Sequence, residues 1–160
     1  MAVWDWVLLA WFFIVGMCVG SFLNVVVYRL PRGGSLLRPA SRCPACEHPI
    51  RPWDNIPILS WIFLQGRCRD CDSKINWRYP LVEFTVGVWF ACCSTLALTA
   101  NPTVKVSSWT LSVLLAFFGA AFLSASLIVQ DGKRVPRLIQ WLLLVGVCLI
   151  VFMMLIVISG

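Results

Sequence analysis

Val7-Leu-Leu-Ala-Trp-Phe-Phe-Ile-Val-Gly-Met-Cys-Val-Gly-Ser-Phe-Leu-Asn-Val-Val-Val27 runs without a single charge, and its length of roughly 20 residues decides the fold class. A helix of that length rises ~1.5 Å per residue and so crosses the ~30 Å hydrocarbon layer of a bilayer. Three more such runs follow, Leu81 to Ala100, Trp109 to Val129 and Leu138 to Ile158. Hydrophobic residues make up 60% of the chain and charged ones 12%, a balance foreign to a water-soluble domain. The sequence therefore predicts an all-α integral membrane protein with four transmembrane helices. A cleaved signal peptide is the rival reading of the first run. It is disfavoured because Met1 to Trp6 has no basic residue and the apolar stretch exceeds the usual ~7–15 residues.

Charge sets the orientation. Nine of the 13 Lys and Arg residues lie between Arg29 and Arg78, and Lys133, Arg134 and Arg137 separate the third and fourth runs. Basic loops stay in the cytoplasm. Both of these loops are therefore expected inside, with both termini and the Asn101 to Ser107 turn on the periplasmic side. The net charge of +6 does not point to nucleic acid, because the cations flank membrane helices rather than lining an aromatic-interleaved groove. Anionic headgroups of the lipid bilayer are the expected partner, at ~1 kcal/mol per cation near the surface.

Eight cysteines divide by surroundings. Cys18, Cys92, Cys93 and Cys148 sit in apolar runs, where cysteine behaves as a small hydrophobe. The other four form two C-x-x-C pairs, Cys43-Pro-Ala-Cys46 and Cys68-Arg-Asp-Cys71. Each such turn places two thiolates on one side of a tight loop, and two turns together supply the tetrahedral sulfur cage that Zn2+ prefers. Arg42, Arg67 and Arg69 lower the cost of gathering the thiolates. Disulfides would suit an oxidising compartment, not a cytoplasmic loop, and a redox C-x-x-C would not be expected twice without a thioredoxin-like pattern. The site is expected to be structural, since four protein ligands leave no open position. His48 is then a solvated loop residue or a donor to the cage.

This gives a domain plan of a first transmembrane helix over 1–30, a small cytoplasmic zinc-knuckle loop over 31–79 and three more helices over 80–160. Asn24, one turn before Tyr28, is expected to seek a partner on another helix. Glu83 is expected to open the second membrane helix, stabilised by its dipole, or to pair with a loop arginine if it lies deeper. Asp54 and the Ile56 to Trp61 run are expected to form a short amphipathic piece lying on the membrane.

Gly20-Ser-Phe-Leu-Asn-Val-Val-Val-Tyr-Arg-Leu-Pro31, the cysteine pairs, Asp54-Asn-Ile-Pro-Ile-Leu-Ser-Trp61, Gly66-Arg-Cys68 and Arg78-Tyr-Pro-Leu-Val-Glu83 together resemble the N-terminal half of bacterial type IV prepilin peptidases. The resemblance is strong from about Gly16 to Glu83 and weaker to about Gln140. It implies an inner-membrane protein whose family cleaves prepilin or pseudopilin leader segments and methylates the new N-terminus with S-adenosylmethionine. Cys43, Cys46, Cys68 and Cys71 match that family's zinc-associated cysteines, and Gly66 matches a glycine connected with methyl transfer.

Leader cleavage in the family needs two aspartates of different protonation state. Aligned on Pro136, the first catalytic position holds Val129, with Asp131 two residues later and Arg137 in place of an acidic residue. Asp131 is the candidate catalytic residue, read alternatively as part of an Asp-Gly turn. The second aspartate's Gly-x-Gly-Asp motif does not occur in this sequence. The expectation is a prepilin-peptidase-like protein that is proteolytically inactive as this chain stands, acting as a zinc-stabilised scaffold or subunit of a larger membrane complex. The alternatives are an active or split leader peptidase, or a stand-alone methyltransferase.

Overall fold

An apolar segment in lipid can satisfy its backbone polar groups only within itself, so each uncharged run must become a helix. The computed structural model, which describes residues 2–100 and 105–159, has four long helices: α1 (Val3–Arg29), α3 (Arg78–Thr99), α4 (Lys105–Gln130) and α5 (Arg137–Ser159). A fifth, short helix, α2 (Leu59–Phe63), lies in the polar loop. Asn101 to Val104 of the expected outer turn lie outside the described residues, and Lys105 to Ser107 already belong to α4. All four long helices are long and apolar enough to cross a membrane. Two isolated bridges, Arg42 with Pro49 and Arg67 with Lys74, are the only extended pairing among the described residues.

Close approach of α1 to α3 organises the bundle. Gly16 and Gly20 stand one turn apart on α1, and a Cβ on Gly16 would lie 2.8 Å from the Gly87 Cα, while one on Gly20 would lie 2.7 Å from the Glu83 Cα. Ascending numbers on α1 meet descending numbers on α3, so the two helices are antiparallel. A small-xxx-small pair lets two membrane helices touch backbone to backbone, where dispersion and weak hydrogen bonds replace the absent hydrophobic drive. The core continues through Val86, Phe90 and Ala97 of α3 into Ala116, Ala120 and Ile128 of α4. Phe117, Phe122, Leu144 and Val151 point outward, an inverted pattern that suits lipid as the outer solvent.

The α4 to α5 connection is closed by hydrogen bonds from the Gly132 N–H to the Val129 carbonyl at 2.9 Å and from the Lys133 N–H to the Ile128 carbonyl at 3.0 Å. Gly132 takes φ +67°, the left-handed step that this form of helix ending requires. Asn24 does find a partner on another helix, its Nδ2 donating to the Tyr79 carbonyl at 3.3 Å. Glu83 is five residues past the start of α3, not in its opening turn, and is buried. Its partner is no arginine: Oε2 accepts the backbone N–H of Ile58 at 2.7 Å.

Candidate metal centre

Two loops of the same build carry the cysteines. In the first, the Cys43 N–H donates to the His48 carbonyl at 3.0 Å, the Glu47 N–H to the Cys43 carbonyl at 2.9 Å and the Ile50 N–H to the Ser41 carbonyl at 2.8 Å. Shifted by 25 positions, the second repeats this: Cys68 to Ser73 at 2.9 Å, Asp72 to Cys68 at 3.0 Å and Ile75 to Gly66 at 2.7 Å. Glu47 and Asp72, the residues just after each pair, both take φ +57°. A left-handed residue there turns the chain back sharply enough to free both thiols on one side. The underlying sequence repeat is Arg42-Cys-Pro-Ala-Cys-Glu47 against Arg67-Cys-Arg-Asp-Cys-Asp72, each followed three residues later by isoleucine. The repeat thus extends beyond the cysteine spacing to the residues that shape each turn.

The knuckles face each other, and the Sγ atoms of Cys43, Cys46, Cys68 and Cys71 all lie within 4.8 Å of one another. Cys43 and Cys71 Sγ are 3.8 Å apart. A tetrahedral ion with ~2.3 Å bonds to sulfur demands roughly 3.8 Å between sulfurs, so the cluster fits a single metal ion with little adjustment. Neighbouring groups push the four thiols in opposite directions. Cys43 is lowered to about 6, mainly by the Ser73 hydroxyl and then by the Cys46 and Ala45 backbone groups. Cys46 is raised to about 12: the His48 backbone lowers it, but burial and the thiols of Cys71, Cys43 and Cys68 outweigh that.

Ser73 is a residue that sequence reasoning missed. Its hydroxyl lies 3.5 Å from the Cys43 Sγ and 3.2 Å from the Cys71 Sγ, linking the two knuckles. The signal was available, because Ser73 is the repeat counterpart of His48. The His48 side chain is exposed, and only its backbone serves the knuckle. Around the cage, Asp54 accepts two bonds from Arg69 at 2.8 and 2.7 Å, and Arg51 reaches Asp70 at 3.5 Å. Both pairs fasten the Pro52–Asn55 turn to the second knuckle. The Arg69 guanidinium holds the Asp54 carboxyl below its ordinary range.

Gly66 and Asp131 stand apart from the cluster. Gly66 has φ +67°, and a Cβ there would meet the Trp61 ring at 2.9 Å; its carbonyl accepts the closing bond of the second knuckle. Asp131 follows the last residue of α4, and its Oδ1 accepts from Arg78 Nη1 at 2.6 Å. Arg78 Nη2 also donates to the Leu127 carbonyl at 3.3 Å. Val129 points outward.

A four-helix membrane protein with a four-cysteine double knuckle between its first two spans defines the class. Within that class, residues 14–97 match the family described as Bacterial Peptidase A24 N-terminal domain, and the chain belongs to that family. It is 53% identical over 81 residues to a prepilin leader peptidase/N-methyltransferase of Myxococcus xanthus, covering 51% of this chain and 24% of that protein. It is 40% identical over 139 residues to a type 4 prepilin-like proteins leader peptide-processing enzyme of Escherichia coli, covering 76% and 48%. A prepilin leader peptidase/N-methyltransferase of Burkholderia pseudomallei is 36% identical over 166 residues, covering 88% and 51%. The chain thus spans about half or less of these relatives' length. No solved structure matches it significantly.

Proposed function

We propose that this chain is a prepilin-peptidase-like inner-membrane module whose Cys43, Cys46, Cys68 and Cys71 hold one structural Zn2+ in a cytoplasmic loop over 31–79. Residues 1–30 and 80–160 supply the four spans, with both termini periplasmic. The module works as a zinc-stabilised scaffold or subunit of a larger membrane complex and does not cleave leaders by itself. One observation carries the reading: four thiols converge within 4.8 Å on two loops of identical build. An all-sulfur set is the donor chemistry of zinc, and its four ligands leave no place for a reacting water. The ion's contribution is to the order of a loop that holds little regular structure of its own.

The scaffold assignment is supported by the state of Asp131. An aspartic dyad needs a second carboxyl to share a proton with, whereas Asp131 is engaged by the guanidinium of Arg78. A second reading, an active or split leader peptidase/N-methyltransferase acting on prepilin or pseudopilin leaders, is favoured by one observation: the Arg78 pair puts Asp131 at the foot of the cysteine loop. In that reading Asp131 is a catalytic aspartate and Gly66 lies near the S-adenosylmethionine site. Leader cleavage by the purified chain separates the two. The scaffold reading expects no cleavage of a type IV prepilin, and capture of the chain in fixed stoichiometry within a larger membrane assembly. Cleavage abolished by Asp131→Asn overturns it.

A further inference from the structure

Arg67 and Lys74 lie directly opposite each other in an antiparallel bridge, a position from which both side chains leave on the same face. Like charges so placed repel, and neither side chain has a hydrogen-bond or ion-pair partner among the described residues. The first knuckle avoids the conflict, because its bridge sets Arg42 against Pro49. The two cations open onto a cavity of about 540 Å3 whose other walls include Trp61, Gly66, Asn76 and Trp77. Trp61 is held in place by its Nε1, which donates to the Ile75 carbonyl at 3.2 Å. Asn76 Oδ1 is occupied by the Arg78 N–H at 2.9 Å, which leaves the amide nitrogen to donate.

The height of this cavity relative to the bilayer follows from Glu83. Five residues into α3 is about 7.5 Å along the helix axis, and the Glu83 carboxylate holds Ile58 at that level. Helix α2 starts at the next residue and so lies level with the first turns of a membrane span. Its Leu59, Ile62 and Phe63 share one face, and all are exposed, Phe63 by 81%. Trp77, 66% exposed, stands just before α3, where the aromatic belt of a membrane protein lies. Acyl chains thus have an apolar surface to meet at the level of the cavity, whose own walls carry the two unpaired cations and the exposed ring of Trp77.

We infer that Arg67, Lys74, Trp61 and Trp77 form a site for the phosphate headgroup of an anionic phospholipid, which bridges the two opposed cations and seats the second knuckle on the bilayer. A single negative phosphodiester relieves the repulsion that the bridge imposes. Free phosphate offers the same charge but leaves the exposed Trp77 ring at the cavity wall uncovered.

Native mass spectrometry of the full chain in detergent, titrated with dioleoylphosphatidylglycerol or dioleoylphosphatidylcholine, tests the site. One phosphatidylglycerol should be retained in preference to phosphatidylcholine. The Arg67→Gln, Lys74→Gln double variant should weaken that retention about thirtyfold, about fivefold per cation. The swap Arg67→Lys, Lys74→Arg should keep it, as should Arg42→Gln on the first knuckle. Metal content measured on each variant reports whether the knuckle is intact, and Lys74→Gln alone, farther from the thiols, should still lose about fivefold. Equal retention of both lipids, undiminished retention by the Gln variants, or displacement of the lipid by inorganic phosphate or S-adenosylmethionine would overturn the assignment.

Discussion

Glu83 of α3 binds the backbone N–H of Ile58 at 2.7 Å across 25 residues of sequence. Ile58 takes φ +61° and ψ −51°, and the Leu59 N–H closes on the Pro57 carbonyl at 2.6 Å, a tight three-residue turn that is strained for a β-branched residue. The buried carboxylate holds this turn in place and ties the middle of the cysteine loop to α3, while Arg29 of α1 ties the start of the loop through the Ser35 and Pro39 carbonyls.

Glu83→Ala removes the acceptor and leaves the Ile58 N–H to find another. We expect a loss of about 1–3 kcal/mol, with faster amide exchange at Ile58 and Leu59 by hydrogen-exchange mass spectrometry. Glu83→Gln keeps an oxygen acceptor and should lose less. Unchanged exchange in the alanine variant would mean that the loop is fixed elsewhere.

Gly16→Val or Gly20→Val should drive α1 from α3, because the added carbons meet the Gly87 and Glu83 backbone and not the ends of flexible side chains. Overpacking of this kind costs about 1–3 kcal/mol. Thermal unfolding in detergent should show both variants weakened, and Gly33→Ala, which meets nothing within 4 Å, should stay within the smaller backbone strain of a left-handed position.

Asp131→Asn should change stability by less than about 1 kcal/mol, since its pair with Arg78 is over a third exposed on both sides and exposed pairs contribute little. Arg78 keeps its bond to the Leu127 carbonyl. A large loss in chemical denaturation would show that the pair, not the helix ending at Gly132, fastens the α4 to α5 turn.

The Asp54 to Arg69 pair gives a pH dependence of definite sign. Its folded-state carboxyl lies below the ordinary 3.8 because Arg69 bonds it, so its contribution is fully present above that value and fades as pH falls through the lowered one. The difference in loop protection between the chain and Asp54→Asn should therefore be constant from neutral pH down to about 4 and shrink below it. A difference that grew on acidification would contradict the pair's role.

What the sequence disclosed follows from how hard each constraint is. Bilayer thickness admits few lengths, so the apolar runs located all four spans to within a few residues at most ends. The C-x-x-C spacing likewise foretold that four thiols would meet. Partnerships between distant residues were not legible: Glu83 was assigned a helix dipole or a loop arginine, yet a backbone N–H 25 positions away met it. Arg78 and Asp131, 53 positions apart, gave no local pattern either. Gly16 with Gly20, and the Arg-Cys-x-x-Cys-acid repeat, are present in the sequence, but small residues in an apolar run and acids in a polar loop are common and do not by themselves name a partner.

Metal content of the chain purified under reducing conditions tests the central claim most directly. One zinc ion per chain is predicted, with Cys43, Cys46, Cys68 and Cys71 resistant to alkylation until a chelator is added, and with zinc lost on Cys43→Ser, Cys68→Ser substitution. Protein that is folded, free of zinc and alkylated at all four thiols without a chelator would contradict it.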